Sequence, residues 1–259
     1  MNRFRLAYKY ILHFLLARNT RGFGVHSPFM FQFTRFVLCE RNSYYIFEEI
    51  ELLRKRLKGD YRLLNIKDFG TGKDRRMKVA DITRCSLKPA KEGQLLFRIS
   101  NYIKAQHILE LGTSLGITTA YLASPSSDIK CVSLEGCPEI AEVARENFEK
   151  LGLKNIEVVV GNIDITLKQV VNKYTQLDLI FIDANHRSEA VLNYFEQCMS
   201  KVHKDTVVVI DDIYWSADME RAWLSIQNHP RVSSTIDLFR FGIVFFNPDL
   251  NRKHYLMRY

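Results

Sequence analysis

The chain has 259 residues, of which 47% are hydrophobic, 12% aromatic and 25% charged. This globular composition excludes a disordered, collagen-like or disulfide-scaffold protein. The net charge of +8 favours an anionic partner such as nucleic acid, a membrane surface or an acidic small molecule, although a solvated basic face is an equal alternative. Five scattered cysteines without CxxC spacing predict reduced thiols and a cytoplasmic location rather than a zinc site.

The positive charge is concentrated near the start of the chain. Residues 1–92 contain 20 Lys and Arg against 9 Asp and Glu, whereas the remaining residues contain 17 against 20. Apolar spacing predicts helices near residues 4–17, 28–40 and 46–58. The first helix is amphipathic and basic, and its apolar run is too interrupted for a signal peptide or a membrane span. We therefore expect residues 1–92 to form a basic helical extension that acts as a lid or a substrate-binding region.

Two short motifs in this region resemble catalytic motifs, but the sequence lacks the other segments that such sites require. Asp68-Phe69-Gly70 resembles part of a kinase, yet the sequence has neither a glycine-rich loop followed by a strand lysine nor an HRD segment. Gly70-Thr71-Gly72-Lys73 lacks the length of a phosphate-binding P-loop. We interpret both as chance matches.

Strands and helices alternate regularly in residues 93–259, which we expect to form a second domain. The predicted strands are residues 107–111, 130–134, 156–160, 177–182 and 206–210. The predicted helices are residues 117–122, 138–151, 165–174, 189–202 and 217–227. Two further apolar runs, residues 234–239 and 242–247, are too close for a crossover and predict an antiparallel terminal hairpin. The predicted class is α/β, with a doubly wound, mostly parallel seven-stranded sheet.

Ligands bind such sheets at the carboxyl ends of the strands, so the residues after each strand are the candidates. Glu110-Leu-Gly-Thr-Ser-Leu-Gly116 follows the first strand, and its glycines let backbone amides approach a ligand. Glu135 follows the second strand, where a carboxylate accepts bonds from ribose hydroxyls or, alternatively, caps the next helix. Asn162 follows the third strand and Asp183 the fourth. Together these residues predict an adenosine site.

These segments resemble the successive motifs of class I S-adenosylmethionine-dependent methyltransferases, whose fold is Rossmann-like, over roughly residues 92–247. The resemblance implies S-adenosylmethionine as the cofactor, with the glycine loop on its methionine part, Glu135 on its ribose, and Asn162 with Ile163 along its adenine. A dinucleotide-binding Rossmann domain is the alternative, although GxxxG departs from its GxGxxG loop. The implied cofactor-binding residues are Glu110, Gly112, Thr113, Ser114, Gly116, Glu135, Gly136, Asn162, Ile163 and Asp183.

Two later segments narrow the resemblance to one branch. Phe181-Ile-Asp-Ala-Asn-His186 and Val209-Ile-Asp-Asp-Ile-Tyr-Trp215 resemble the FxDAxK and DNxxW segments of catechol and caffeoyl-CoA O-methyltransferases. This chain has His186 where the branch has lysine, and Asp212 where it has asparagine. Histidine still serves as a base near neutral pH, and aspartate remains an oxygen ligand, so neither change forbids the chemistry.

The branch resemblance implies Mg²⁺ or another divalent cation held by Asp183, Asp211 and Asp212. It also implies His186 and Asp183 as the catalytic residues, because a hydroxyl attacks a sulfonium methyl readily only as an oxyanion. Structural roles are open for the same residues. Asp183 can contact the cofactor, Asp211 can cap the helix near Ala217, and His186 can be a structural hydrogen-bonding group.

Three hypotheses follow from these residues. The leading one is an S-adenosylmethionine-dependent O-methyltransferase that acts on a small hydroxylated acceptor. The second hypothesis is an RNA methyltransferase, because basic residues interleaved with Phe and Tyr suit phosphate contacts and base stacking. The third is a non-catalytic cofactor-binding or membrane-surface protein anchored by the first helix. An exposed apolar helix also suits a homodimer.

Overall fold

A computed structural model describes residues 3–67 and 74–259, so the matches at Asp68–Gly70 and Gly70–Lys73 lie outside the described residues. The α-helices are α1 (Arg3–Leu16), α2 (Pro28–Phe33), α3 (Tyr45–Leu57), α4 (Val79–Ser86), α5 (Ala90–Tyr102), α6 (Ile117–Ala123), α7 (Pro138–Lys150), α8 (Ile163–Asn172), α9 (Ser188–Met199) and α10 (Ala217–Asn228). The strands are β1 (Leu63–Ile66), β2 (Arg75–Lys78), β3 (His107–Leu111), β4 (Lys130–Glu135), β5 (Ile156–Val160), β6 (Leu177–Ile182), β7 (Val202–Asp211), β8 (Ser234–Asp237), β9 (Phe241–Phe245) and β10 (Lys253–Leu256).

The chain divides into two compact units. One, the continuous unit, is Arg41–Asn172; the other, the two-segment unit, combines Met1–Glu40 with Lys173–Tyr259. Each unit contains residues from both sides of position 92, and the functional division expected there stays a prediction.

The continuous unit is built around three parallel strands. β3 pairs with β4, and β4 pairs with β5, with Ser133 opposite Glu110 and Val160 opposite Glu135. One face of α3 is buried in the apolar core of this unit, because Ile46, Ile50, Leu53 and Leu57 recur at helical spacing. β1 and β2 form a separate antiparallel pair. The parallel strands end together, which brings their following residues to one edge.

The strands of the two-segment unit run in the order β10-β8-β9-β7-β6. β6 and β7 are parallel, whereas β9 is antiparallel to both β7 and β8. The predicted terminal hairpin is therefore confirmed as β8 and β9. Val202 pairs with Leu177, so β7 begins at Val202 and α9 ends at Met199, where the sequence predicted a helix as far as residue 202 and a strand from residue 206.

The two segments of this unit are joined by direct bonds. The Arg258 amide donates to Thr20 Oγ1 at 3.0 Å, and Arg258 Nε donates to the carbonyl of Phe14 at 2.9 Å. Thr34 Oγ1 donates to the sulfur of Met257 at 3.7 Å. Residues far apart in sequence thus complete one core.

The mostly parallel α/β architecture predicted from the sequence is confirmed. The predicted number of seven strands is too low, because β10 pairs in parallel with β8. Lys253-His254-Tyr255-Leu256 is too polar and short to predict a strand. The prediction also missed α4, α5 and the β1–β2 pair. Among the described residues, no helix combines the length and apolarity that crossing a bilayer requires.

Candidate functional site

The glycine loop after β3 is a tight turn with left-handed backbone. Gly112, Ser114 and Gly116 have φ angles of 103°, 49° and 79°, a region that glycine adopts without steric cost. The amides of Gly112 and Thr113 donate to the Leu134 carbonyl at 3.0 and 3.2 Å. A Cβ at Gly116 would lie 2.6 Å from the ring of Phe148. The loop therefore folds close to the end of β4 and requires glycine at its last position.

Glu135, at the end of β4, is held by backbone amides on both of its oxygens. Ser114 N donates to Oε2 and Cys137 N donates to Oε1, each at 2.9 Å. Burial raises the pKa of Glu135, although the amides of Cys137, Ser114 and Gly136 oppose the shift. A carboxylate oxygen accepts more than one bond, so Glu135 retains acceptor capacity for ribose hydroxyls. It therefore both supports the start of α7 and suits the predicted cofactor contact.

Glu110 differs from Glu135 because its carboxyl group is fully buried. Ser133 Oγ donates to Oε2 at 2.6 Å, and Thr119 Oγ1 donates to the same oxygen. Among the described residues, Oε1 has no hydrogen-bond donor. Burial raises the pKa of Glu110 to about 7, despite the bonds from Ser133 and Thr119 that lower it. Neither hydroxyl was predicted from the sequence, and the available signal was the polar Ser133 between Val132 and Leu134 in β4.

The end of β5 meets the end of β4. Gly161 has a φ angle of 149°, and its amide donates to the Glu135 carbonyl at 2.9 Å. Asn162 Oδ1 accepts the Asp164 amide at 3.0 Å and so caps α8, which begins at Ile163. The continuous unit thus brings together the loop at 112–116, Glu135 and the segment at 161–163.

In the two-segment unit, Asp183 and His186 follow β6 on an irregular turn. His186 Nε2 lies 3.9 Å from Asp183 Oδ1, within ion-pair range but beyond a hydrogen bond. Asn185 and His186 have positive φ angles of 68° and 41°. The His186 ring lies 6.1 Å from the ring of Trp215, centroid to centroid. The structure therefore places an imidazole, a carboxylate and an exposed indole in one region.

Asp211 is the last residue of β7 and Asp212 follows it, and the two differ in burial and in backbone geometry. Asp211 is buried, whereas Asp212 has a left-handed φ angle of 50° and lies 3.3 Å from Nε of Arg240. Arg240 belongs to the β8–β9 turn, for which the sequence predicted a hairpin connection and no contact with the site. The helix cap proposed for Asp211 is instead the side chain of Ser216, which accepts the Met219 amide at 3.0 Å. In the part of the chain that the structure describes, no three His, Cys, Asp or Glu side chains form a metal-binding group.

Comparisons with known proteins agree with this arrangement. A family model described as a methyltransferase domain matches residues 109–213. A catechol O-methyltransferase of Mycobacterium tuberculosis is 32% identical over 136 residues, which are 52% of this chain and 60% of the relative. A catechol O-methyltransferase of Niastella koreensis is 29% identical over 137 residues, which are 52% of this chain and 61% of the relative. The chain therefore spans about three fifths of the length of these two relatives.

The fold matches a solved structure over more of its length. An O-methyltransferase from Bacillus cereus, solved in complex with S-adenosylhomocysteine, is 25% identical with a TM-score of 0.57. The match covers 83% of this chain and 96% of that chain.

Proposed function

We propose that the chain, which carries a methyltransferase domain of the class I, catechol and caffeoyl-CoA O-methyltransferase type, methylates a small acceptor. The methyl group passes from S-adenosylmethionine to a hydroxyl of that acceptor. The observation that carries the proposal is the carboxylate of Glu135, fixed between the amides of Ser114 and Cys137 at the end of β4. That position matches the ribose-binding acid of the family, and the Bacillus cereus relative holds the product form of the same cofactor.

The cofactor roles follow the geometry of the continuous unit. The backbone of the loop from Gly112 to Gly116, including Thr113 and Ser114, surrounds the methionine part, while Glu135 and Gly136 hold the ribose. The segment of Asn162 and Ile163 lies along the adenine. Glu110 accepts a bond from Ser133, whose hydroxyl lies 2.5 Å from that of Thr113 in the loop. Glu110 therefore positions the loop and does not touch the cofactor, because its side chain has no exposed surface.

The reaction needs one proton acceptor. His186 takes the proton from the acceptor hydroxyl, and the oxygen then attacks the methyl carbon of the sulfonium. The new C–O bond forms as the C–S bond breaks, which leaves S-adenosylhomocysteine as a neutral thioether. Asp183, 3.9 Å from His186, stabilises the imidazolium that results.

A divalent cation does not fit the residues in this arrangement. Asp212 is ion-paired with Arg240, and the described residues contain no group of three metal ligands that includes Asp183, Asp211 or Asp212. We therefore assign no step of the reaction to a metal. The experiment includes magnesium because binding or methyl transfer that depends on it would contradict this assignment.

A small acceptor is favoured over RNA. Two relatives of this chain, at 32% and 29% identity, are catechol O-methyltransferases, which supports a small hydroxylated acceptor. An RNA acceptor predicts binding that weakens steeply with salt, whereas turnover of a neutral phenol barely responds to salt.

The homodimer suggested by the exposed apolar helix is a separate question, and sedimentation of the full chain tests it.

The test is calorimetric titration of the full chain with S-adenosylhomocysteine, with and without magnesium, followed by methyl transfer to catechol. We expect Glu135→Ala to weaken binding by about a hundredfold, because two ribose hydroxyls lose a charged acceptor. The matched control is Glu142→Ala, an exposed acid on α7 paired with Arg145. His186→Gln should leave this binding unchanged and lower the rate of methyl transfer by about a hundredfold or more.

Two outcomes contradict the proposal. Absence of binding by the unmodified chain removes the cofactor assignment. Equal losses in Glu135→Ala and Glu142→Ala remove the role of Glu135, and an unchanged rate in His186→Gln removes the base.

A further inference from the structure

The helix α1 directs Arg5, Lys9 and His13 toward the protein. Lys9 Nζ donates to Glu220 Oε1 at 2.6 Å, and Arg5 is bonded to the same carboxylate and to the Tyr214 carbonyl. His13 is buried, with Nε2 3.0 Å from Oδ1 of Asp237. These residues are spaced four apart and form one face of the helix. The inward face of α1 is therefore polar, the reverse of an ordinary surface helix.

The opposite face of α1 is apolar and exposed. Phe4, Tyr8, Ile11 and Leu15 follow i, i+4, i+7 spacing and are 89%, 64%, 58% and 67% exposed; we call these four residues the apolar stripe. A stripe of this kind is rare on a monomer unless something covers it. Because polar bonds already hold the other face, the helix cannot bury the stripe by rotating without losing them.

The charge of the segment that contains the apolar stripe indicates what covers the stripe. Residues 1–39 contain six Lys and Arg and no Asp or Glu. Arg18, Arg21 and Arg35 are exposed, and the described residues offer them no acidic partner. A second copy of the chain would bring an equal positive charge against this surface, whereas anionic lipid headgroups complement it. Exposed aromatic and aliphatic side chains beside arginines are the composition of helices that lie in a membrane interface.

We propose that α1 docks the protein on the surface of an anionic lipid bilayer, with the apolar stripe in the headgroup region. The helix lies parallel to the surface and does not cross it. Its inward face binds the carbonyl of Tyr214, the neighbour of Trp215, so docking holds this segment about 10 Å, one helix diameter, from the headgroups. An acceptor that partitions into the bilayer surface is then concentrated near Trp215. The docking itself is independent of the proposed methyl transfer.

The test is cosedimentation of the full chain with vesicles of phosphatidylcholine, alone or in an equimolar mixture with phosphatidylglycerol. We expect binding to the mixed vesicles that weakens when NaCl rises from about 0.1 M to about 0.5 M. The double variant Ile11→Glu, Leu15→Glu should lose about a hundredfold in vesicle affinity. The matched control is Leu52→Glu, Leu224→Glu, which changes leucines that are 49% and 50% exposed on other helices.

A second variant keeps the apolar stripe intact. Arg18→Glu with Arg35→Glu should weaken binding to mixed vesicles by about tenfold or more and leave binding to phosphatidylcholine unchanged. Melting temperatures and S-adenosylhomocysteine titrations establish that each variant is folded. Absence of vesicle binding by the unmodified chain, or equal losses in the matched control, overturns the proposal. The proposal is also overturned if the unmodified chain is a dimer that binds no vesicles and if Ile11→Glu with Leu15→Glu dissociates that dimer. A second copy of the chain then covers the apolar stripe.

Discussion

The acidic residues at or near the carboxyl ends of the strands are held in different ways in the two units. In the continuous unit, backbone amides fix Glu135 and buried hydroxyls fix Glu110. In the two-segment unit, Asp212 is held by the side chain of Arg240, which is 48% exposed. An acid bound by the backbone is positioned by the fold itself, whereas an acid bound by a flexible side chain can exchange its partner. The first region is thus prepared for its ligand before binding, and the second can rearrange on binding.

The largest expected effect comes from filling the turn of the glycine loop. Gly116→Ala places a Cβ 2.6 Å from Phe148 at a φ angle of 79°, so the variant combines overpacking with left-handed strain. We expect it to lower the free energy of unfolding by about 3 kcal/mol. Urea unfolding of the full chain measures the loss.

A second glycine separates the two causes. Gly152 has a φ angle of 68°, but a Cβ there meets nothing within 4 Å. Gly152→Ala should therefore lose only about 1 kcal/mol. Equal losses in the two variants would show that packing against Phe148 does not restrict the loop.

An intermediate effect is expected from the buried carboxyl of Glu110. Its pKa is about 7 in the folded protein against 4.5 ordinarily, so the folded state binds more protons between those values. The free energy of unfolding therefore falls as pH rises from about 4.5 to about 7, by up to about 3 kcal/mol in total. Glu110→Gln removes this dependence, and urea unfolding across the pH range measures it.

The control for the pH experiment is Glu142→Gln, which changes an exposed acid. It should retain the dependence of the unmodified chain. A Glu110→Gln variant whose stability falls with pH as the unmodified chain does would contradict the assignment.

The smallest effect is expected at Asp212. Asp212→Asn keeps a side chain that tolerates the left-handed φ angle of 50° and loses one partly exposed ion pair, at a cost of about 0.5 kcal/mol or less. Asp212→Ala adds backbone strain and should cost about 1 kcal/mol more. A large loss from Asp212→Asn, measured by urea unfolding, would show that Asp212 is held as firmly as Glu135.

The sequence predicted β3, β4 and β5 of the continuous unit because their determinants are local, but it missed α4, α5 and the β1–β2 pair of the same unit. Strand periodicity placed β3, β4 and β5, and a glycine loop with an acid about twenty residues later identified the residues that the structure brings together. One of the two amides that bind Glu135, that of Ser114, belongs to that same loop, so the motif and the geometry coincide there.

The features that the prediction missed depend on distant residues. β10 is a strand because β8 is available to pair with it, and its own sequence is polar. The pairing of Asp212 with Arg240 joins residues on different turns. The prediction of α1 as an amphipathic helix is confirmed, but the direction of its faces depends on Glu220 and Asp237. The local sequence of a helix does not show that acids distant in sequence bury its polar face.

The bonds between the first and last segments of the two-segment unit bear on how the protein is made. During synthesis, α1 leaves the ribosome long before Glu220 and Asp237, the acids that hold its polar face. At ordinary rates of translation the interval is roughly 10 to 40 s. The continuous unit is complete by Asn172 and can fold during that interval. Throughout it, the nascent chain presents a basic, aromatic segment to chaperones or lipid before its own partners exist.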